Sequence, residues 1–197
     1  MTGTIQSVAS LAGLSIASVV QREASGGVAH SVTLPAATAA HLTTRTDNNT
    51  GVITLPEGHD IVNGKVDVYW AGGVRYGMDG IVTVNALAID LGAGDNLPDD
   101  ESDVTVANQV VIDTDFDGDL LAIIAAACDK VSHLDFQDVG GTSLKAVALP
   151  AGEMWSWAAD MGIANPLTGN PVASIEVSNG DSAAAAALKI GLLYEST

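Results

Sequence analysis

The chain has 197 residues, 47% of them hydrophobic, with 7 Lys and Arg against 24 Asp and Glu, for a formal net charge of −17. That balance excludes a nucleic-acid binder, because neutralising phosphates needs a basic patch that so few dispersed cations cannot make. The hydrophobic fraction excludes disorder, whose signature is high net charge with low hydrophobicity.

The longest apolar run, Leu120 to Cys128, is about half of the ~20 residues a membrane-spanning helix needs, so no membrane span is expected. The N-terminal stretch is interrupted by Thr4, Gln6, Ser7, Ser10, Ser15 and Ser18 and lacks a basic n-region, so no secretion signal is expected. One cysteine, Cys128, permits no internal disulfide and no zinc cluster. The fold must hold by burial, in a reducing compartment or in a particle assembled in one.

The 21 Gly, the 6 Pro and the recurring turn clusters point to a chain of short strands. Ser15 to Arg22 and Val28 to Leu34 read as strands, the second ended by Pro35. Ala36 to Ala40 reads as a linker, and Asp47-Asn48-Asn49-Thr50-Gly51 as a strong turn. From Val52 to Asp90, short strands joined by Gly turns suggest a small barrel. Within it Val66, Val68 and Trp70 share one face of a strand, with Asp67 and Tyr69 on the other. The acidic stretch Gly92 to Asp103 reads as a surface loop closing this unit.

Strand character resumes at Val104 to Val106 and Val110 to Ile112. Leu120 to Ala127 fits a buried central strand by length and flanks, while its alanines favour a helix; strand is the expectation. Val131 to Phe136, Ser143 to Leu149, Met154 to Ala158, Pro171 to Val177 and Ala185 to Tyr194 complete the pattern. The chain is therefore expected to be mainly β: a jelly-roll-like β-sandwich from residues 1–45 and 104–197, with residues 46–103 inserted as a small β-barrel or excursion bearing the acidic loop.

Asp113, Asp115, Asp117 and Asp119 alternate around Gly118 as in a calcium-binding loop, since calcium takes six to eight oxygens and the Gly permits the sharp turn. The position that should supply a bidentate Glu is Ile124, so calcium binding competes with a solvated acidic turn. Of the 24 acids, 12 lie between Asp79 and Asp129 without a Lys or Arg among them, a negative field suited to cations or a basic partner.

Catalytic candidates are thin. Cys128 with His133, His59 with Asp60, and His133 with Asp135 are the only nucleophile, acid or base combinations in view, and the four His have no paired metal-ligand spacing. The G-x-S-x-G, phosphate-loop and dinucleotide glycine patterns are absent. An enzyme is not expected, and neither is a cofactor other than calcium.

Trp155 and Trp157 fall on one strand face, either as core or as an oligomer contact. Ile5, Val8, Leu11 and Leu14, in the nearly uncharged stretch Ile5 to Val20, form a candidate arm for packing on a neighbouring subunit.

The unit Gly58 to Trp70, the stretch Ile89 to Pro98, and the ending Ile175 to Asn179 with Leu188 to Tyr194 resemble the β-rich virion proteins of tailed bacteriophages and prophages. The resemblance covers the general plan and carries no diagnostic motif. It implies a capsid decoration or cement protein, or else a tail-tube or baseplate subunit. Its expected partners are further copies of itself and the major capsid protein, in a virion assembled in the host cytoplasm. An acidic, calcium-binding adhesion module is the alternative.

Overall fold

A computed structural model describes residues 7–11, 14–18, 26–113, 120–158, 167 and 171–195. The described residues form strands and turns, with no helix. They fall into two compact units, one built from residues 1–34, 111–177 and 186–197, the other from 35–110 and 178–185.

The second unit is a closed six-stranded barrel in the order β4 (Thr38–Arg45), β5 (Gly51–Thr54), β8 (Ala86–Gly94), β7 (Gly73–Thr83), β6 (Gly64–Trp70), β9 (Ser102–Asn108). All six ladders are antiparallel. Strand alternation sends Leu42, Ile53, Val66, Val68, Met78, Leu87, Ile89, Val104 and Val106 into one buried core. Closure removes the free edges that an open sheet of this size would carry.

The expected boundaries at 45/46 and 103/104 cut through this barrel. Ala36 to Ala40 is not a linker: β4 begins at Thr38, and its Ala39 and Ala40 pair with Thr105 and Val104 of β9. Alanine is a weak strand former, and ladder pairing overrides that preference. The acidic stretch also differs from a purely exposed loop. Leu97 is only 2% exposed and joins the barrel core, and its N–H donates to the Asn48 carbonyl at 3.1 Å.

The first unit holds two four-stranded sheets. One runs β10 (Val110–Asp113), β15 (Ser174–Asn179), β12 (Ser132–Gln137), β13 (Ser143–Leu149). The other runs β14 (Met154–Ala158), β11 (Leu120–Cys128), β16 (Ala186–Glu195), β3 (Gly26–Leu34). A hairpin of β1 (Ser7–Leu11) and β2 (Leu14–Ser18) completes the described strands. The run Leu120 to Ala127 is a strand: β11 pairs on both sides, with β14 and β16, and alternation buries Ile124, Ala126 and Cys128 on one face. Phe136 of β12 and Trp155 of β14 bring the two sheets into ring contact, with centroids 5.6 Å apart at 44°.

Candidate functional site

The barrel carries the most distinctive chemistry, and it begins with a charge buried on a strand expected to face water. Asp67 and Tyr69 leave the barrel core to Val66 and Val68, yet both are buried. The reason is the returning segment 178–185, which covers that face. The Ser178 hydroxyl donates to Asp67 Oδ2. Its single proton is thereby used, so the Tyr69 hydroxyl donates to Ser178 Oγ, at 2.5 Å. Asp67 Oδ1 accepts the Gly77 N–H and the Gln109 amide, both at 2.8 Å. Gly77 (φ 64°) sits where the β6 and β7 register shifts, so the Asp67 carboxyl fills the gap the bulge opens.

Arg75 is the second buried charge. Its guanidinium donates to the carbonyls of Leu91 (3.0 Å), Gly92 (3.0 Å) and Asp95 (3.1 Å). Those carbonyls belong to a stretch held in left-handed backbone at Leu91, Gly92 and Gly94. The planar fork of Arg suits three separate acceptors, which the compact Lys ammonium does not.

On the outer wall, ladder partners share a face, and Val52, Ala88 and Ile81 form one row across β5, β8 and β7. Ile81 is 63% exposed. Val84 in the β7–β8 turn is 83% exposed and Val62 is 61% exposed. Asn63 Oδ1 accepts the Val82 N–H at 2.6 Å, and His59 Nε2 lies 2.9 Å from the Val84 carbonyl oxygen, which folds the 59–63 loop against this end of the barrel. The result is an exposed apolar patch.

The next row on the same wall is charged. Asp79 faces Asp90 across the ladder, and Lys65 Nζ lies 2.9 Å from Asp79. The barrel unit has only Arg45, Lys65 and Arg75 as Lys or Arg residues. Arg45 pairs with Asp99 at 3.1 Å, Lys65 pairs with Asp79, and Arg75 is buried. Beside the apolar row, therefore, stand two carboxylates, Asp79 and Asp90, and one cation, Lys65.

A third feature is His41 on β4, which lies directly across from Asp103 on β9. Its Nε2 is 3.0 Å from Glu101 and its Nδ1 is 3.2 Å from Asp103. The bond to Glu101, and next the bond to Asp103, raise the His41 pKa above its ordinary 6.5. His41 and its register partner Asp103, with Glu101 just ahead of β9, thus clasp the β4–β9 seam where the barrel closes.

The residues singled out in the sequence fare differently. Cys128 and His133 are not brought together. Phe136 turns toward the sheet that carries Cys128, so His133, at an odd position of β12, turns away from it. His133 and Asp135 do share a face and are 1% and 4% exposed, with Asp135 accepting from Ser143 Oγ at 2.5 Å and Gln137 Nε2 at 3.2 Å. His59 is committed to its own loop: its Nδ1 accepts the Ile61 N–H at 3.2 Å.

Trp157 is buried opposite Ile124, and Trp155 packs on Phe136, so the buried Trp157 ring is core and cannot also be a free contact surface. Val8, Leu11 and Leu14 lie on the β1–β2 hairpin, where Leu11 pairs with Leu14. Ile5, Asp115, Asp117 and Asp119 lie outside the described residues, and Asp113 closes β10. Among the described residues, no group of three or more His, Cys, Asp or Glu is arranged to hold a metal ion, and no helix is long and apolar enough to cross a membrane.

No protein family, curated protein or solved structure matches the chain. Strand periodicity missed the Ser178 contact because the covering segment follows β9 by about seventy residues of chain. A signal for the apolar row was present: Val52, Ile81 and Ala88 alternate with buried partners, so they belong to an outer face where polar residues are the norm.

Proposed function

We propose that this chain is a structural subunit of a tailed-phage virion, a capsid decoration or cement protein that stabilises a shell through symmetric contacts. The observation that carries the reading is the exposed apolar patch of Ile81, Val62, Val84 and Ala88 on a barrel whose fold is already closed. An apolar patch that folding leaves uncovered is suited to a protein neighbour. Its acidic rim favours a basic surface on that neighbour and disfavours nucleic acid.

The architecture is compatible with this role. We read the two four-stranded sheets, joined by the Phe136–Trp155 contact, as a jelly-roll-like sandwich, with the barrel carried as an excursion of the chain. The resemblance of the Gly58 to Trp70 and Ile89 to Pro98 stretches to phage virion proteins points the same way.

The test uses phage heads assembled without this subunit, from the genome that encodes it. Purified protein should co-sediment with those heads and raise the temperature at which they disrupt. Heads that neither bind the protein nor gain stability would end the decoration reading.

A further inference from the structure

A net charge of −17 sets the terms on which two copies of this chain can meet, because like charges repel wherever acidic surfaces approach. The open strand edges of the first unit are the places to look, since the barrel has none. Among the described strands, the edges of the two four-stranded sheets belong to β10, β13, β14 and β3, and the β1–β2 hairpin adds two short edges of 5 residues each. Natural proteins protect exposed edges by shortness, by charge or by proline. The strand β10 has 4 residues and ends on Asp113, β13 carries Lys145, and β14 has 5 residues. By contrast β3, Gly-Gly-Val-Ala-His-Ser-Val-Thr-Leu, has 9 residues and no Asp, Glu, Lys, Arg or Pro. It is the longest of these edges and lacks all three protections.

We infer that β3 is an interface with a second copy of this chain, two β3 strands pairing antiparallel about a two-fold axis at His30. The absence of charge lets two strongly acidic chains approach here without opposing like charges. A two-fold contact uses the same strand from both copies, so the strand must complement itself. Centred on His30, all nine residues pair, with Val28 opposite the partner's Val32, Ala29 opposite its Ser31 and Gly27 opposite its Thr33. Face matching supports the same register. Within the chain, His30 pairs with Ile190, Val32 with Leu188 and Val28 with Leu192, three buried residues of β16, whereas Ala29, Ser31 and Thr33 line the exposed face. Even positions meet even positions across the axis, so the face that carries His30 and Val32 continues into the second copy. The product is one sheet of eight strands.

This inference rests on reading the chain as an assembling subunit, and one experiment separates the two. Ala29→Cys and Ser31→Cys are made separately at exposed positions; native Cys128 is buried. Opposed residues in a ladder have Cβ atoms about 4.5–5.5 Å apart, within reach of a short bismaleimide. A mixture of the two variants should crosslink to dimer several-fold more than a mixture of Ser31→Cys with Thr33→Cys, and the β3 amides of the unmodified protein should exchange more slowly as concentration rises. An assembly with no such preference would overturn the β3 interface and leave the subunit reading standing. A monomer at all concentrations, with β3 amides exchanging freely, would overturn the β3 interface, and a chain that also neither binds nor stabilises the subunit-free heads would overturn the subunit reading.

Discussion

Ser178 and Asp67 lie 111 residues apart in sequence and share a hydrogen bond inside the barrel unit, the serine hydroxyl donating to the carboxyl. Around that bond the chain's second visit to the barrel is fastened. Asn179 Nδ2 donates to the carbonyls of Pro35 and Ala184, at 3.0 and 2.9 Å, and the Ala37 N–H donates to the Asp181 carbonyl at 2.9 Å. Gly180 lies so close to Tyr69 that a Cβ there would sit 2.8 Å from the ring.

Asp67→Ala leaves the Gly77 N–H, the Gln109 amide and the Ser178 hydroxyl without their acceptor. Each orphaned buried donor costs about 1–3 kcal/mol, so this variant should lose more stability in urea unfolding than Ser178→Ala, which removes one partner. Equal and small losses for both would show that the network does not fasten the segment.

The His41 clasp has a definite sign. The folded pKa stands above the unfolded 6.5, so the contribution of the clasp to stability is complete below 6.5 and fades as pH rises through the raised folded value. Histidine titration followed by NMR should therefore place His41 above 6.5. Glu101→Gln should lower that midpoint more than Asp103→Asn, because the Glu101 bond is the larger cause. A midpoint at or below 6.5 in the unmodified protein would contradict the clasp.

Leu97 closes the barrel from within the acidic loop. Leu97→Ala should destabilise the protein by about 2–5 kcal/mol, the range for buried leucine truncation, whereas a solvated loop residue would change stability by less than about 0.5 kcal/mol. Thermal unfolding distinguishes these outcomes.

Gly92 tests the backbone beside Arg75. At φ 75°, a Cβ would meet the Tyr76 carbonyl oxygen and Met78 Cγ, both at 2.7 Å. Gly92→Ala should cost about 1–3 kcal/mol for the strained backbone, plus the displacement of its neighbours. Gly58, which also has a left-handed φ but open space around it, is the control: Gly58→Ala should cost less.

Much of the strand pattern is legible because alternation is a local signal: Val66, Val68 and Trp70 declare an inward face before any partner is known. Gly-rich turns similarly mark the barrel's hairpins. What alternation cannot give is the partner covering a second face. Asp67 and Tyr69 look solvent-facing until the distant Ser178 to Ala185 segment lies over them. The same limit applies to the barrel boundary, because β4 joins through pairing with β9 and its alanines carry little strand preference of their own. His41 stood among four scattered histidines, and only the β4–β9 register sets it against Glu101 and Asp103.

The apolar row makes a prediction for function. Ile81→Asp places a charge at an exposed position, so it should leave unfolding within about 0.5 kcal/mol of the unmodified protein while reducing co-sedimentation with heads at least several-fold. Unchanged binding would remove this face from the contact.

A β3 pair makes the free chain a symmetric assembly, and its solution mass by light scattering across concentration reads that state. A defined oligomer, a dimer or a larger symmetric particle, is expected at an integer multiple of 19.9 kDa. A mass of 19.9 kDa at every concentration would contradict it.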